Sequence, residues 1–243
     1  MSKPVHDSPQ VRPALNRDRV LHGALAVADA GGIASLTIRS LAERLGVKPM
    51  SVYHYVANKD EILDGIVDLV FGEIELPMAG GEWRSEMCRR AASARQALKR
   101  HPWAIGLMES RTAPGAATLR HHDAVIGALR AAGFSVAMTA HAYALIDSYV
   151  YGFALQEASL PFKGPETVGD IAEPMLRQFP DGEYPHFVEM ATEYVLQPGY
   201  DFGDEFDFGL TVILDALTNL IPDNVRSTSI TGRRPTRTEA RLT

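Results

Sequence analysis

The sequence predicts an all-α protein in two parts, a small N-terminal bundle and a larger helical body. Three observations predict it. Apolar residues recur at i, i+3, i+4, i+7 through most of the chain, as in Ile38, Leu41, Ala42 and Leu45. One breaker cluster, Pro77-Met78-Ala79-Gly80-Gly81, separates two such stretches. Further on, residues 136–159 are apolar nearly all round, which suits a helix buried on more than one side. The chain therefore divides into a disordered arm (1–14), a first domain (15–76), a second domain (82–222) and a disordered tail (223–243). Arm and tail are polar or proline-rich and lack apolar periodicity.

Asn16 is placed to cap a first helix with Val20, Ala24, Val27 and Ala28 on one side and Gly31-Gly32 at its end. Thr37 is the N-cap of a second, because its hydroxyl can accept from an otherwise unpaired backbone N–H. Gly46 supplies the permissive φ that ends this helix within a short turn. Pro49 suits the first turn of a third helix, read from Lys48 to Tyr55, in which Val52 and Val56 form a narrow apolar side. Its other side carries Lys48, Ser51, Tyr53, His54 and Tyr55. Two short helices joined by a glycine turn read as a helix-turn-helix whose second helix fits a DNA major groove. Asn58, with Glu61 three residues on, resembles a capping box. It opens a fourth helix, with Ile62, Leu63, Ile66, Val67 and Val70 inward, that serves as a lever to the second domain.

In the body, a helix from Trp83 to Arg100 aligns Trp83, Met87, Ala91, Ala94 and Leu98, and Pro102 stops it. A short helix spans Trp103 to Arg111, and Pro114-Gly115 begins another that runs to Gly133. Ser135 caps the long helix. A loop starts at Leu160, and a weak helical signal covers Ile171 to Phe179. Pro185 to Gln197 is helical, with Phe187, Met190, Ala191, Tyr194 and Val195 on its apolar side. Glu205 to Leu220 is the last helix, closed by Pro222.

At 243 residues the chain can bury a sizeable core, and its 46% hydrophobic and 22% charged content is that of a soluble globular protein. No apolar run approaches the ~20 residues needed to span a bilayer. The N-terminus lacks the apolar region of a signal peptide. The single Cys88 excludes an intramolecular disulfide and any multi-cysteine metal site. These features point to a cytoplasmic protein with no membrane partner. A net charge of −6 opposes nucleic-acid binding only if charge is spread evenly. Between Thr37 and Lys59 it is not: Arg39, Arg44, Lys48 and Lys59 stand against Glu43 alone. Acid clusters elsewhere, as in Asp201, Asp204, Glu205 and Asp207. A locally basic head on an acidic body suits a site-specific DNA binder.

No enzyme motif is present: no Gly-x-Ser-x-Gly, no P-loop, no dinucleotide fingerprint and no His-Glu-x-x-His. The expectation is a non-enzyme without cofactor or metal. His121-His122-Asp123 invites a metal reading, but adjacent helical residues point about 100° apart and read instead as an exposed face. Cys88, on a helix with an apolar face, reads as structural, although Arg89 and Arg90 beside it are electropositive.

Thr37-x-Arg39-x-Leu41-Ala42-x-x-Leu45-Gly46-Val47, then Ser51-Val52-Tyr53-x-Tyr55-Val56, then Asn58-Lys59-Asp60-Glu61-Ile62-Leu63 resemble the DNA-binding domain of the TetR (tetracycline repressor) family, over about residues 15–70. Trp83 through Leu98, His101-Pro102-Trp103, Leu129 through Phe134 and Phe206 through Leu217 resemble that family's ligand-binding domain less specifically. The resemblance implies base reading by Lys48, Pro49 and Met50. It implies phosphate contacts from Ser51, Tyr53, Tyr55 and Lys59, with Thr37 both capping and touching phosphate. Arg39 is a candidate groove or phosphate contact, or a solvated surface charge, and His54 touches base or backbone or is merely exposed.

The resemblance also implies a homodimer through the helices at Ser135 and Glu205, and a small-molecule effector in the body. Trp103, Met108, Tyr143, Tyr151 and Phe187 are candidate effector contacts or plain core. Asp147, a carboxylate on an otherwise apolar helix, must be paired, sit at the dimer seam or bond a ligand. Members that bind tetracycline use a histidine on their short sixth helix for a drug-bound magnesium. The matching stretch here, Ile105-Gly106-Leu107-Met108, has none, which argues against tetracycline and leaves the effector unidentified. The reading is a homodimeric repressor released from a near-palindromic double-stranded DNA operator by a small, largely apolar effector. The alternatives are an activator or protein-partnered DNA binder, and an all-α enzyme or carrier with a vestigial head.

Overall fold

The computed structural model describes residues 14–162, 167–180 and 182–221. The expected arm, up to residue 13, and the expected tail from residue 223 lie outside the described residues, as does Pro222. Among the described residues every regular element is helical.

α1 (Arg17–Gly31) opens on Asn16, whose side chain accepts from the Arg19 N–H at 2.8 Å. α2 (Ile38–Leu45), α3 (Pro49–Val52) and α4 (Lys59–Gly72) complete the N-terminal bundle. Its core joins Val20, Ala24, Leu41, Val52, Ile62 and Ile66. α5 (Trp83–Arg100), α6 (Ala116–Ala131), α7 (Val136–Ser159) and α10 (Asp204–Thr218) build the body around Met87, Leu98, Leu129, Ile146 and Leu214. α8 (Val168–Leu176) and α9 (Pro185–Met190) lie between α7 and α10 in the chain. α9 runs on into a wider π-type turn over Ala191–Val195.

α4 belongs to both cores. Ile62 and Ile66 pack into the head, while Val67, Val70 and Phe71 pack into the body. A helix that buries one half in each part transmits any tilt from one to the other.

Four helices differ from expectation, among them α9, expected to reach Gln197 but α-helical only to Met190. The reading helix, expected from Lys48 to Tyr55, is α-helical only over Pro49–Val52. Beyond it the Tyr55 N–H bonds to the Val52 carbonyl at 3.0 Å, an i→i+3 contact that tightens the chain into turns. The helix expected from Trp103 to Arg111 is a single 3₁₀ turn over Pro102–Ala104 followed by further turns. A segment that short, with Gly106 inside, does not repay the cost of helix nucleation. α8 starts at Val168, earlier than Ile171, and carries Pro174 near its end.

Candidate nucleic-acid interface and effector core

The head is built by capping and by two apolar pins. The Ser40 N–H donates to Thr37 Oγ1 at 3.1 Å and the Thr37 N–H to Ser40 Oγ at 3.0 Å, so the start of α2 is fixed reciprocally. Gly46, at a φ of 69°, adopts the left-handed turn that redirects the chain into α3. Val52 and Val56 are buried and hold α3 and the turn after it against α2 and α4. Left outside are Thr37, Arg39, Lys48, Pro49, Met50, Tyr53, His54, Tyr55 and Lys59, with Ser51 half-buried. Met50 is 72% exposed. Arg39, Lys48 and Lys59 have no intramolecular partner among the described residues. Unpaired cations beside exposed tyrosines and a methionine suit a polyanion that also offers apolar edges.

In the body, α7 places Tyr143, Asp147 and Tyr151 at i, i+4 and i+8, along one stripe. Arg90 of α5 is wholly buried and donates from Nη1 to Asp147 Oδ1. Its Nη2 and Nε lie 2.7 and 3.1 Å from His121 Nε2 on α6. A guanidinium only donates, so Nε2 accepts and the neutral ring carries its proton on Nδ1. Burial, and then the Arg90 charge, push His121 down to about 3. The Tyr143 hydroxyl meets His122 Nδ1, and the Tyr151 hydroxyl donates to Glu109 Oε1 at 3.2 Å. Burial, reinforced by Asp147, raises both phenols above their ordinary value. Asp147 Oδ2 and His121 Nδ1 have no hydrogen-bond partner among the described residues.

This corrects two expectations. His121-His122 is not an exposed face, because His121 has no exposed surface and His122 is half-buried. Arg90 is not an electropositive neighbour of Cys88 but the partner of Asp147; burial comes first in raising the Cys88 thiol above its ordinary value. Of the expected effector contacts, Met108 is buried in the body core and Tyr143, Asp147 and Tyr151 come together. Trp103 turns to the head, donating from Nε1 to Asp29 Oδ1 at 2.7 Å. Phe187 is apart from them on α9, 42% exposed, its ring packed on Phe179 with centroids 5.6 Å apart. A cavity of about 540 Å³ opens between α5, α7 and the turn before α10, lined by Lys99, Pro102, Glu157, Leu160, Phe162 and Phe202 among others. None of the six expected residues lines it.

The family model described as "Bacterial regulatory proteins, tetR family" matches residues 20–66, and "Tetracyclin repressor-like, C-terminal domain" matches residues 76–221. The chain belongs to the TetR family. It is a DNA-binding transcriptional regulator of that family, as its relatives' names agree. The HTH-type transcriptional repressor DrrR1 of Streptomyces coeruleorubidus is 32% identical over 86% of this chain and 80% of its own length. An HTH-type transcriptional regulator of Saccharopolyspora erythraea is 36% identical, over 61% of this chain. That match spans 64% of the relative, less than two thirds of its length. Among solved structures, the TetR family protein ActR of Streptomyces coelicolor, in complex with actinorhodin, is 26% identical. It superposes with a TM-score of 0.71 over 86% of this chain and 98% of its own. Among the described residues no helix is long and apolar enough to cross a membrane.

In this TetR-family chain the body holds the head through charge, a feature the sequence reading missed. α4 carries Asp60, Asp64 and Asp68 at four-residue spacing, hence on one face. Arg111 donates to Asp64 and, at 3.2 Å, to Asp60. Asp68 accepts from the Thr118 N–H at 2.8 Å and its hydroxyl at 2.9 Å, and so caps the first turn of α6. Gly115 leaves the room for this, since a Cβ there would stand 2.2 Å from Asp68 Cγ. At the end of α4, Glu73 Oε2 accepts from Arg100 Nη2 at 2.6 Å. Burial works to raise Glu73, but hydrogen bonds from Arg100 and His101 outweigh it, and the carboxyl lies below its ordinary value. The four-residue spacing of the aspartates was the available signal.

Proposed function

We propose that this regulator is a homodimeric repressor that leaves a near-palindromic operator when a small, largely apolar molecule binds its helical body. The observation that carries the reading is the set of unpartnered cations on a tightly capped helix-turn-helix. Lys48 addresses guanine acceptors, and Pro49 and Met50 meet thymine methyls. Thr37, Ser51, Tyr53, Tyr55 and Lys59 hold phosphates, which position the head without specifying sequence. Arg39 and His54 complete the contact surface.

Dimerisation is supported by apolar side chains left exposed on two neighbouring helices. Leu145 and Leu155 on α7 are 46% and 56% exposed, and Phe208 and Val212 on α10 are 70% and 53% exposed. Pairing these faces with a second copy buries them and sets two heads about one two-fold axis, which demands matching symmetry in the DNA. The effector reading is supported by Met108, Tyr143, Asp147 and Tyr151, now joined by Arg90 and His121. An apolar molecule with one polar group answers this cluster, and the structural neighbour ActR is solved in complex with actinorhodin. Trp103 and Phe187 are peripheral to that site. The effector must favour a head spacing that does not fit the operator, and operator binding then weakens effector affinity by the same factor. The protein acts in the cytoplasm, where its operator is.

Fluorescence anisotropy with duplex DNA from upstream of the protein's own gene, at a stated salt concentration, tests this reading. Tight, competitor-resistant binding by a dimer, lost in the double variant Tyr53→Ala, Lys59→Ala, is expected. Weak binding that is equal for all sequences, together with a random-sequence selection that enriches nothing, overturns it.

A further inference from the structure

His101 stands where head and body meet, with each ring nitrogen against a carboxylate. Nδ1 lies 2.7 Å from Asp29 Oδ1 on α1, and Nε2 lies 3.1 Å from Glu73 Oε1 at the end of α4. The side chain is 7% exposed, so solvent does little to relieve either contact. Carboxylate oxygens only accept, and a neutral imidazole has one N–H. A neutral ring therefore satisfies one acid and turns a lone pair on the other, whereas an imidazolium satisfies both. The other groups around the ring leave this unchanged. Trp103 donates to the same Asp29 oxygen at 2.7 Å, and its ring stands edge-on to His101 with centroids 6.1 Å apart. Arg100 is occupied with the second oxygen of Glu73.

We propose that His101 is a positioning residue whose imidazolium clamps the DNA-binding head to the helical body, linking the seating of the head to one proton. Asp29 and Glu73 lie on different helices of the head side, so losing the proton loosens α1 from α4 as well as from α5. The link to operator affinity rests on the regulator reading above; the clamp itself does not.

The chain has two tryptophans, so Trp83→Phe leaves Trp103 as the sole indole, in contact with the ring. An imidazolium quenches a neighbouring indole, and the Trp83→Phe protein should show one fluorescence transition with pH that His101→Gln removes. Asp29→Asn keeps the ring and removes one facing charge, so it should move the transition to lower pH. ¹⁵N NMR of the His101 ring should show both nitrogens protonated on the acid side. A transition that survives His101→Gln, one that Asp29→Asn leaves in place, or a single-proton ring at every pH of the folded protein overturns the clamp.

Operator affinity of the wild type and His101→Gln is then followed over the same range. Profiles that separate by roughly fivefold or more, in either direction, support the link. Both proteins keep the same helix-turn-helix surface, so any pH effect arising there cancels in this comparison. Coincident profiles overturn the link, and failure of both proteins to prefer any sequence at any pH counts against the regulator reading instead.

Discussion

In the helical body Arg84, Arg89, Arg90, Arg95, Arg100 and Arg111 each meet a carboxylate, whereas on the reading face Arg39, Lys48 and Lys59 meet none among the described residues. The side chains are chemically alike, and their use is opposite. A cation paired inside the chain has its charge answered and fixes the geometry of helices. A cation held out on a capped scaffold keeps its charge for a partner. The net charge of −6 conceals this division, because acids that neutralise the body also tie it to α4. Pairing, and not the count of charges, separates the exposed helix-turn-helix from the body.

The comparison breaks most visibly at Arg90. Arg90→Ala leaves Asp147 buried without its counter-ion and should cost about 3–5 kcal/mol in denaturant unfolding. Arg90→Met with Asp147→Leu should cost less than either single change; an equal or larger loss would mean that packing, and not charge, holds the site. A second measure is acid. The folded-state value of His121, about 3, lies below its ordinary 6.5, so the unfolded chain binds the extra proton first. The contribution is present above the ordinary value and is lost as pH falls toward the folded one. Its slope is about 1.4 kcal/mol per pH unit. Unfolding midpoints against pH should show this fall, and His121→Asn should flatten it.

On the head, Thr37→Ala removes a cap and half of a reciprocal pair, and thermal unfolding should register a loss of about 1 kcal/mol. The smallest effect on stability belongs to Lys59→Ala, within about 0.5 kcal/mol. Its effect should appear instead as a salt dependence of operator binding shallower by about one counter-ion. A Lys59 variant that unfolds would collapse the distinction between the two regions.

Much of this was legible in the sequence because it rests on local chemistry. The caps at Asn16, Thr37, Asn58 and Ser135, and the bounds of α5 and α7, depend on residues within one turn of each other. The exposed polar side of the helix-turn-helix was legible for the same reason, being the remainder of two short helices. Arg90 was not, because a charge within a helix reads as solvated unless its partner is known, and Asp147 is 57 residues away. A signal was nevertheless present: Arg90 falls on the stripe of Met87, Ala91, Ala94 and Leu98, at a position where a solvated arginine has no place. Phe187 failed in the opposite sense. Its apolar neighbours gave α9 a helical face, but sequence periodicity does not say whether anything packs against that face.

Asp68 is a residue of the lever that serves as the end-piece of another helix. Any swing of α4 that withdraws this carboxylate strips the Thr118 N–H of its acceptor, and the first turn of α6 frays. Movement of the lever is thus also a small unfolding event, with its own free energy and its own exchangeable proton. The amide of Thr118 reports that step, its exchange of hydrogen for deuterium tracking how often α4 lets go.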